Sequence, residues 1–209
     1  MKLPHGRTFY VMRHAETEDN VSKIVSGSQS LTNLTNNGRE QALAMYFVVA
    51  KIKPLVDCVI ISEMQRTKDT AKLCCPDQPH IVDSRINERL YGMAEGMSNA
   101  DREALKAVGI EISGQESKEN LLARTVTSVA ENLSKYQNPL FITHGGNIRR
   151  LLEATIGKEK IAENDEYVTN CMLCEFIAPQ KNDGGWVVNI LTIGDNNEIN
   201  RRVFGEKNV

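Results

Sequence analysis

Apolar residues recur along this chain with two different spacings. Three short apolar runs rich in β-forming residues each precede a segment with helical periodicity. These runs span 8–12, 55–61 and 140–143. Apolar positions three and four residues apart predict helices, which span 38–52, 117–136 and 147–156. Because strands and helices alternate, the pattern predicts a doubly wound α/β fold whose sheet is covered on both faces.

The C-terminal part has the pattern of a hairpin at one edge of the sheet. Two strand-like runs, 171–178 and 186–193, flank the turn-forming stretch D-G-G at 183–185. The segment 92–115 has weak periodicity and scattered glycines, so we expect it to form a cap over a site. No repeat, low-complexity tract or linker interrupts the 209 residues, and this length suits one core. The whole chain, 1–209, is therefore predicted to be a single domain.

Composition and charge exclude several classes of protein. A formal net charge of -2 and an isoelectric point near 6.1 show no basic footprint, so no nucleic-acid partner is expected. The first residues lack an apolar signal core, and the longest apolar stretch, 42–50, is too short to span a bilayer. We therefore expect a cytoplasmic protein with no membrane partner, in which any anionic ligand meets a local positive pocket.

Five cysteines, an odd number, argue against a disulfide framework and agree with a reducing compartment. Cys171 and Cys174 form a C-x-x-C motif, which suggests metal or redox chemistry. However, they lie in a strand-like run, where positions three apart face opposite sides of the sheet. We therefore predict packed thiols here, and the same for Cys58, Cys74 and Cys75.

Polar and mostly cationic residues follow each of the three predicted strands. The first strand ends in Arg13-His14, the second in Ser62 with Arg66 four residues on, and the third in His144-Gly145-Gly146. In a doubly wound sheet, ligands bind beyond the carboxyl ends of the strands, so these groups are predicted to surround one pocket.

The two arginines favour a phosphate ligand. Arg66 lies in the first turn of its helix, where its positive charge opposes the helix macrodipole unless an anion compensates it. A guanidinium group offers planar, forked donors that match phosphate oxygens, and Arg13 and Arg66 would converge on one dianion. Ser62 has a simpler explanation, because Ser62-x-x-Gln65 matches a capping box at the start of the helix.

Two histidines would face the same anion. A neutral imidazole can act as a nucleophile while a protonated one donates hydrogen bonds to the transferring group, and spacing alone does not assign these roles. The amides of Gly145 and Gly146, at a helix start, can approach an anion closely because no Cβ intervenes. Each histidine also has an ordinary alternative. R-H-x-E-T at 13–17 would be a surface salt-bridge cluster, and His144 a hydrogen-bonded core residue.

A leaving alkoxide needs a proton donor. Glu88, in the stretch N-E-R-L-Y-G at 87–92, is a candidate because the neighbouring glycine and aromatic residue indicate a structured loop. The alternative is a solvated surface pair of Glu88 with Arg89. The residues alone do not decide between these two interpretations.

The motifs together resemble the histidine phosphatase superfamily, which contains cofactor-dependent phosphoglycerate mutases and related phosphatases. R-H-A-E-T at 13–17 is similar to the family signature R-H-G-E-[ST], with Ala15 in place of the usual glycine. Asn20 and Gly27 fall at positions of the family's phosphate-binding loop. Further blocks follow in family order over nearly the whole chain. They are L-T-x-x-G-x-x-Q-A at 34–42, S-x-x-x-R-T-x-D-T-A at 62–71, E-R-x-Y-G-x-x-E-G at 88–96 and T-H-G at 143–145.

The resemblance implies a fold, a mechanism and a set of site residues. The fold is a three-layer α/β/α sandwich with a mainly parallel sheet, similar to that of phosphoglycerate mutase. In the mechanism, His14 attacks phosphorus to form a phosphohistidine, and Glu88 is the general acid and then the general base. Neither a metal nor a cofactor is implied, since cationic side chains take the place of a magnesium ion. The resemblance also implies a set of residues that bind the phosphate and the substrate. They are Arg13, Asn20, Gly27, Arg66, Arg89, Tyr91, His144 and Gly145. Of these, Arg13, Arg66 and His144 are also implied to be catalytic.

Hydrolysis and isomerisation are the two reactions to separate. The stretch T-E-D-N at 17–20 lacks the tryptophan typical of mutases, no adjacent arginine pair follows Gly96, and Gly146 replaces the asparagine that mutases often carry. G-Q-E-S at 114–117, followed by Arg124, resembles a block of the family's phosphatases. We therefore predict a phosphatase acting on a small phosphorylated metabolite. A mutase-type isomerase and a non-catalytic module that binds phosphorylated ligands are the alternatives, and the natural substrate and a homodimer stay open.

Overall fold

A six-stranded sheet lies at the centre of the structure, a computed structural model that describes residues 3–158, 161, 168–180 and 184–191. The strands are β1 (Thr8–Arg13), β2 (Val59–Ile61), β3 (His80–Val82), β4 (Leu140–Thr143), β5 (Leu173–Ile177) and β6 (Val187–Leu191). Their order across the sheet is β3-β2-β4-β1-β5-β6, so the chain crosses over between non-adjacent strands.

Four neighbouring strands run parallel, and the last two add an antiparallel hairpin. β1 pairs with β4, β4 with β2 and β2 with β3, all in parallel register. β5 runs antiparallel to β1, and β6 runs antiparallel to β5. This confirms the predicted mainly parallel sheet with an edge hairpin. Of the predicted hairpin, residues 181–183 and 192–193, which include the turn residue Asp183, lie outside the described residues.

Helices accompany the sheet on both faces. Within the described residues the α-helices are α1 (Glu18–Val21), α2 (Asn36–Ile52), α3 (Gln65–Cys74), α4 (Asn99–Ala107), α5 (Lys118–Lys135) and α6 (Gly145–Ile156). Short 3₁₀ turns occupy Ser84–Ile86 and Gly92–Ala94. The predicted helices correspond to α2, α5 and α6, although α2 and α6 begin two residues earlier than predicted. In the described part of the chain, no helix is long and apolar enough to cross a membrane.

Three elements, α1, α4 and β3, are not predicted from the apolar pattern, and one predicted strand is shorter than expected. α1 and α4 have no buried residue, so neither adds a side chain to the core of the sheet. β3 is a three-residue strand at the sheet edge, where Ile81 and Val82 are exposed. The predicted strand 55–61 begins only at Val59, because Leu55 lies in a turn and points to solvent.

Apolar side chains pack on both faces of the sheet, as the two-residue period of a strand requires. From β1, Phe9 and Val11 belong to the core that includes α5 and α6, whereas Tyr10 and Met12 belong to the core that includes α2 and α3. Phe9 stacks on Phe176 of β5, with ring centroids 4.9 Å apart. Helices therefore cover both faces, which confirms the three-layer α/β/α arrangement.

The cysteines are packing residues. All five are free and buried. Cys174 belongs to the core on one face of the sheet and Cys171 to the core on the other. Burial raises the pKa of each of these two thiols to about 12. The prediction of packed thiols, with Cys171 and Cys174 on opposite faces of the sheet, is confirmed.

Gly38 joins helix α2 to the loop that follows β1. The Thr35 hydroxyl accepts from the Gly38 amide at 2.9 Å and donates to the Glu16 carboxylate at 2.7 Å. A Cβ on residue 38 would lie only 2.0 Å from the carbonyl oxygen of Glu16. That oxygen belongs to the backbone, which cannot give way as a flexible side chain would. This close approach therefore requires glycine.

We predict that Gly38→Ala lowers the free energy of unfolding by about 1–3 kcal/mol, the usual range for overpacking a buried position. Urea unfolding followed by circular dichroism measures the change. Gly185→Ala is the matched control, because a Cβ there meets nothing within 4 Å. Equal effects of the two substitutions would contradict this account of residue 38.

Candidate active site

The ends of β1 and β4 bring the predicted site residues together. These strands are parallel neighbours, so the residues that follow them meet at one edge of the sheet. The ring centroids of His14 and His144 lie 5.2 Å apart, and the Nε atom of Arg66 is 3.2 Å from Nδ1 of His144. A Cβ on Gly145 would lie 3.5 Å from Nε of Arg13. The side chains that follow these strands therefore lie close together.

His14 is buried, and the position of its ring proton is defined. Nδ1 lies 2.7 Å from the carbonyl oxygen of Ala15. Because a carbonyl oxygen only accepts, Nδ1 carries the proton, and the lone pair of the neutral ring is on Nε2. Burial, and then the charges of Arg66 and Arg13, hold the pKa of His14 well below its usual value. The ring is a buried neutral base, so the alternative of a surface salt-bridge cluster is wrong.

His144 is fully buried and uses both ring nitrogens. The Nε–H of Arg66 donates to Nδ1 at 3.2 Å, so the proton of the neutral ring is on Nε2. Nε2 donates to the Ser62 hydroxyl at 2.9 Å. That hydroxyl donates to Thr67 at 2.7 Å, since the Thr67 hydroxyl itself donates to a backbone carbonyl. Burial, and then Arg66, hold the pKa of His144 well below its usual value. His144 is therefore a neutral ring in a continuous chain of hydrogen bonds that runs from Arg66 through His144 and Ser62 to Thr67.

Ser62 belongs to this network rather than to the cap of α3. Helix α3 begins at Gln65, and its N-cap residue is Met64, without a side-chain cap hydrogen bond. The predicted Ser62-x-x-Gln65 capping box is therefore wrong. The physical reason is that Ser62 lies just after β2, where the buried Nε2–H of His144 needs an acceptor.

The two arginines bring guanidinium groups into the site with different partners. Arg66 donates to the carbonyl oxygens of Gly27 at 3.2 Å and Ser30 at 3.4 Å, so Gly27 contacts the arginine through its carbonyl group. Arg13 donates from Nη1 to the Val168 carbonyl oxygen at 2.6 Å. Burial lowers the pKa of Arg13 to about 10 and also lowers that of Arg66. The buried Nε of Arg13 has no acceptor among the described residues, and an anion bound there would supply one.

Asn20, in α1, is linked to His14 through Asn170. The amide oxygen of Asn20 accepts from the backbone of Thr17 at 3.2 Å and from Nδ2 of Asn170 at 2.9 Å. Nδ2 of Asn170 also donates to the carbonyl oxygen of His14 at 3.1 Å. The oxygen of Asn20 is thus engaged within the protein, so only its NH₂ group could bind a phosphate oxygen.

Glu88 places its carboxylate at the N-terminus of α6. Oε2 accepts from the Gly146 amide at 3.2 Å, and Oε1 accepts from the Arg89 amide at 2.7 Å. The carboxylate is buried, and the Arg89 side chain turns away from it to donate from Nε to the Glu116 carbonyl at 2.6 Å. The alternative of a solvated surface pair between Glu88 and Arg89 is therefore wrong.

Arg124 supports the loop that carries Glu88. Its guanidinium donates to the carbonyl oxygens of Arg85 and Asn87, each at 2.7 Å, and to that of Glu88 at 3.0 Å. It also pairs with the Glu116 carboxylate at 2.7 Å. The G-Q-E-S block therefore fixes the backbone from which the Glu88 side chain projects.

Arg89 and Tyr91 lie together on the loop after Glu88. The guanidinium carbons of Arg89 and Arg102 lie 5.4 and 4.9 Å from the centroid of the Tyr91 ring. Burial, and then the charge of Glu88, raise the pKa of Tyr91. The structure thus places two further positive charges against the Tyr91 ring.

Residues 168–172 form part of the site without any signal in the sequence. The carbonyl oxygens of Val168 and Met172 accept from Arg13, and the amide of Cys171 donates to the His14 carbonyl at 3.3 Å. Most of these contacts use backbone groups, which any residue type can supply. Sequence reasoning also missed Asn170, whose side-chain contact with His14 joins residues 156 positions apart.

Known proteins that are similar to this chain belong to the family that the sequence motifs resemble. The chain matches the family model of the histidine phosphatase superfamily (branch 1) over residues 9–191. It is 30% identical over 173 residues to glucosyl-3-phosphoglycerate phosphatase of Mycolicibacterium vanbaalenii, covering 72% of this chain and 75% of that protein. It is 27% identical over 157 residues to a broad-specificity phosphatase of Saccharomyces cerevisiae, covering 69% of this chain and 68% of that protein.

A solved structure extends the comparison to the fold. The phosphoglycerate mutase from Bacillus anthracis superposes with a TM-score of 0.73, covering 92% of this chain and 95% of that one, at 19% sequence identity. That likeness shows a common fold. The match to the family model covers most of the chain, so the protein belongs to the histidine phosphatase superfamily, as predicted. The predicted class of enzyme, a phosphoric monoester hydrolase, is confirmed by the family match and the two phosphatase relatives.

We predict that the free energy of unfolding falls as the pH is lowered below 6.5, the ordinary pKa of histidine. The unfolded chain binds protons on His14 and His144 in this range, whereas the folded protein resists them because both pKa values are depressed. Each histidine contributes a slope of up to about 1.4 kcal/mol per pH unit. Urea unfolding between about pH 5 and pH 7 measures the slope.

The matched comparison uses the His14→Asn/His144→Asn protein, in which the slope should be smaller, and His5→Asn, an exposed position, in which it should persist. A slope that is the same in all three proteins would contradict the assignment of two buried neutral histidines.

Proposed function

We propose that this protein is a metal-independent phosphatase that hydrolyses a small phosphomonoester through a phosphohistidine on His14. The observation that carries the proposal is the state of the His14 ring. It is neutral, its Nδ1–H is held by the Ala15 carbonyl, and its lone pair is on Nε2. The charges of Arg13 and Arg66 act on the same ring, so a dianion bound by them would lie within reach of the nucleophile.

The phosphoryl group would bind between the two arginines and His144. Nε of Arg13, which lacks an acceptor among the described residues, would donate to one oxygen, and Arg66 to another. A dianion beside His144 favours the protonated ring. Nδ1 would then exchange the hydrogen bond that it accepts from Nε of Arg66 for one that it donates to the phosphoryl group. The Asn20 amide and the Gly145 N–H, at the start of α6, would complete the set.

The chemistry would proceed in two steps. Nε2 of His14 forms a bond to phosphorus while the bond from phosphorus to the leaving oxygen breaks, and protonated Glu88 gives its proton to that oxygen. The Ala15 carbonyl stabilises the positive charge that the ring acquires. The Glu88 carboxylate then takes a proton from water as the water oxygen attacks phosphorus, which releases inorganic phosphate and restores His14.

Side chains would supply the positive charge that this reaction needs. The guanidinium groups of Arg13 and Arg66 would neutralise the phosphoryl oxygens, which is the electrostatic task that a divalent cation performs in other phosphotransferases. Within the described ranges, no group of three His, Cys, Asp or Glu side chains is arranged to hold a metal ion. We therefore expect hydrolysis to persist in the presence of a chelator.

Hydrolysis rather than isomerisation is supported by the two phosphatase relatives and by the G-Q-E-S block, whose Glu116 pairs with Arg124 beneath Glu88. A mutase-type isomerase is the second candidate, because Arg89 and Arg102 against Tyr91 could hold a second anionic group. We also propose that segment 92–115 caps the substrate, in a single domain that spans 1–209.

We predict that His14→Ala abolishes hydrolysis of p-nitrophenyl phosphate, since the covalent route is lost. With β-glycerol phosphate, whose alkoxide leaving group needs a proton, Glu88→Gln should lower kcat by about 10²- to 10⁴-fold, the usual contribution of a general acid. Steady-state assays with a chelator present measure both effects. His5→Ala and Glu40→Gln, at exposed positions, are the matched controls and should keep the activity of the parent.

Two results would reject the proposal. If His14→Ala keeps most of its activity, His14 is not the nucleophile. If the protein converts 3-phosphoglycerate with a bisphosphoglycerate primer and releases negligible phosphate, it is an isomerase rather than a phosphatase.

A further inference from the structure

Gly146 lies in the first turn of α6, at a position where the backbone does not require glycine. Its φ angle is not among the positive values that the structure shows at other glycines. Glycine is also a poorer helix former than alanine, so local structure alone would favour a larger residue here. The reason for glycine must therefore lie in a neighbouring group.

The neighbouring group is the carboxylate of Glu88. A Cβ on residue 146 would lie 2.2 Å from Oε1 and 3.2 Å from Cδ of Glu88, whereas the next atom, Cδ2 of Leu121, would be at an ordinary 3.4 Å. At the preceding residue, Gly145, the closest approach of a Cβ is 3.5 Å, to Nε of Arg13. Of these two adjacent glycines, only Gly146 makes room for Glu88.

The backbone that carries Glu88 cannot shift to relieve such a clash. Arg124 holds the carbonyl oxygens of Asn87 and Glu88 at 2.7 and 3.0 Å. The carboxylate is buried and accepts from two amides, those of Arg89 and Gly146. A side chain on residue 146 would therefore move the carboxylate itself, away from the N-terminus of α6.

We infer that Gly146 is a positioning residue for the proton donor, because it lets the Glu88 carboxylate dock on the α6 amide. The inference rests on the proposed function, in which Glu88 protonates the leaving oxygen. Displacing the carboxylate would leave His14 and its arginines in place. It would therefore slow reactions whose leaving group needs a proton more than reactions whose leaving group does not.

Two substrates separate these cases. β-Glycerol phosphate has a poor leaving group that needs the proton, whereas p-nitrophenolate departs readily without it. In Gly146→Ala, kcat/KM should fall about 10²-fold or more for β-glycerol phosphate and less than about 10-fold for p-nitrophenyl phosphate. Gly185→Ala, with open space at its Cβ, should change neither value. Equal losses for the two substrates would overturn the inference.

A double-variant comparison asks whether the effect passes through Glu88. Once Glu88→Ala has removed the carboxylate, adding Gly146→Ala should change kcat/KM for p-nitrophenyl phosphate by less than about 2-fold, because there is nothing left to displace. A further loss of about 10-fold in that background would show that Gly146 acts by another route and would overturn the inference.

Amide NMR of ¹⁵N-labelled protein tests the contact without any need for activity. In the parent, Glu88→Ala should shift the amide resonance of Gly146, whereas in Gly146→Ala the amide of residue 146 should not respond to Glu88→Ala. If Glu88→Ala leaves the amide resonance of Gly146 unshifted in the parent, the inference fails even for an active phosphatase. If the contact is present but no phosphomonoester is hydrolysed, the proposed function fails and the contact stands.

Discussion

Burial of positive charge beside two histidines is the constraint on which the rest of the structure depends. Arg13 and Arg66 hold guanidinium groups where water is largely excluded, which is costly unless an anion joins them. The same charges, added to burial, keep His14 and His144 neutral. A neutral imidazole is the form that attacks phosphorus. The groups that would bind the phosphate thus also prepare the proposed nucleophile.

The fold supports this arrangement from two sides. The ends of β1 and β4 fix His14 and His144 through backbone pairing, and loop carbonyls such as that of Gly27 anchor the guanidinium of Arg66. On the opposite side, Arg124 fixes the loop of Glu88, and the N-terminus of α6 receives its carboxylate. Nucleophile and proton donor therefore belong to separate elements, so each can be adjusted without moving the other.

Much of this could be predicted from the sequence because its physical cause is local. Buried strands and the helices that pack on the sheet repeat their apolar residues with fixed periods, whereas α4 buries no residue and is free of that constraint. Arg66 could be identified because a cation in the first turn of a helix is unusual. The role of Ser62 could not be predicted, because a serine before a helix also matches a helix cap. Its role depends instead on a hydrogen bond with His144, which is 82 residues away in the sequence. Asn170 depends in the same way on distant partners.

The claim that phosphate passes through Nε2 of His14 is tested most directly by trapping the intermediate. The parent protein is mixed with excess p-nitrophenyl phosphate, quenched in alkali during turnover and analysed by peptide mass spectrometry. The account predicts phosphate on Nε2 of His14, stable in base and lost in acid. Steady hydrolysis with no phosphorylated peptide, or with the phosphate on His144 or on a carboxylate, would contradict it.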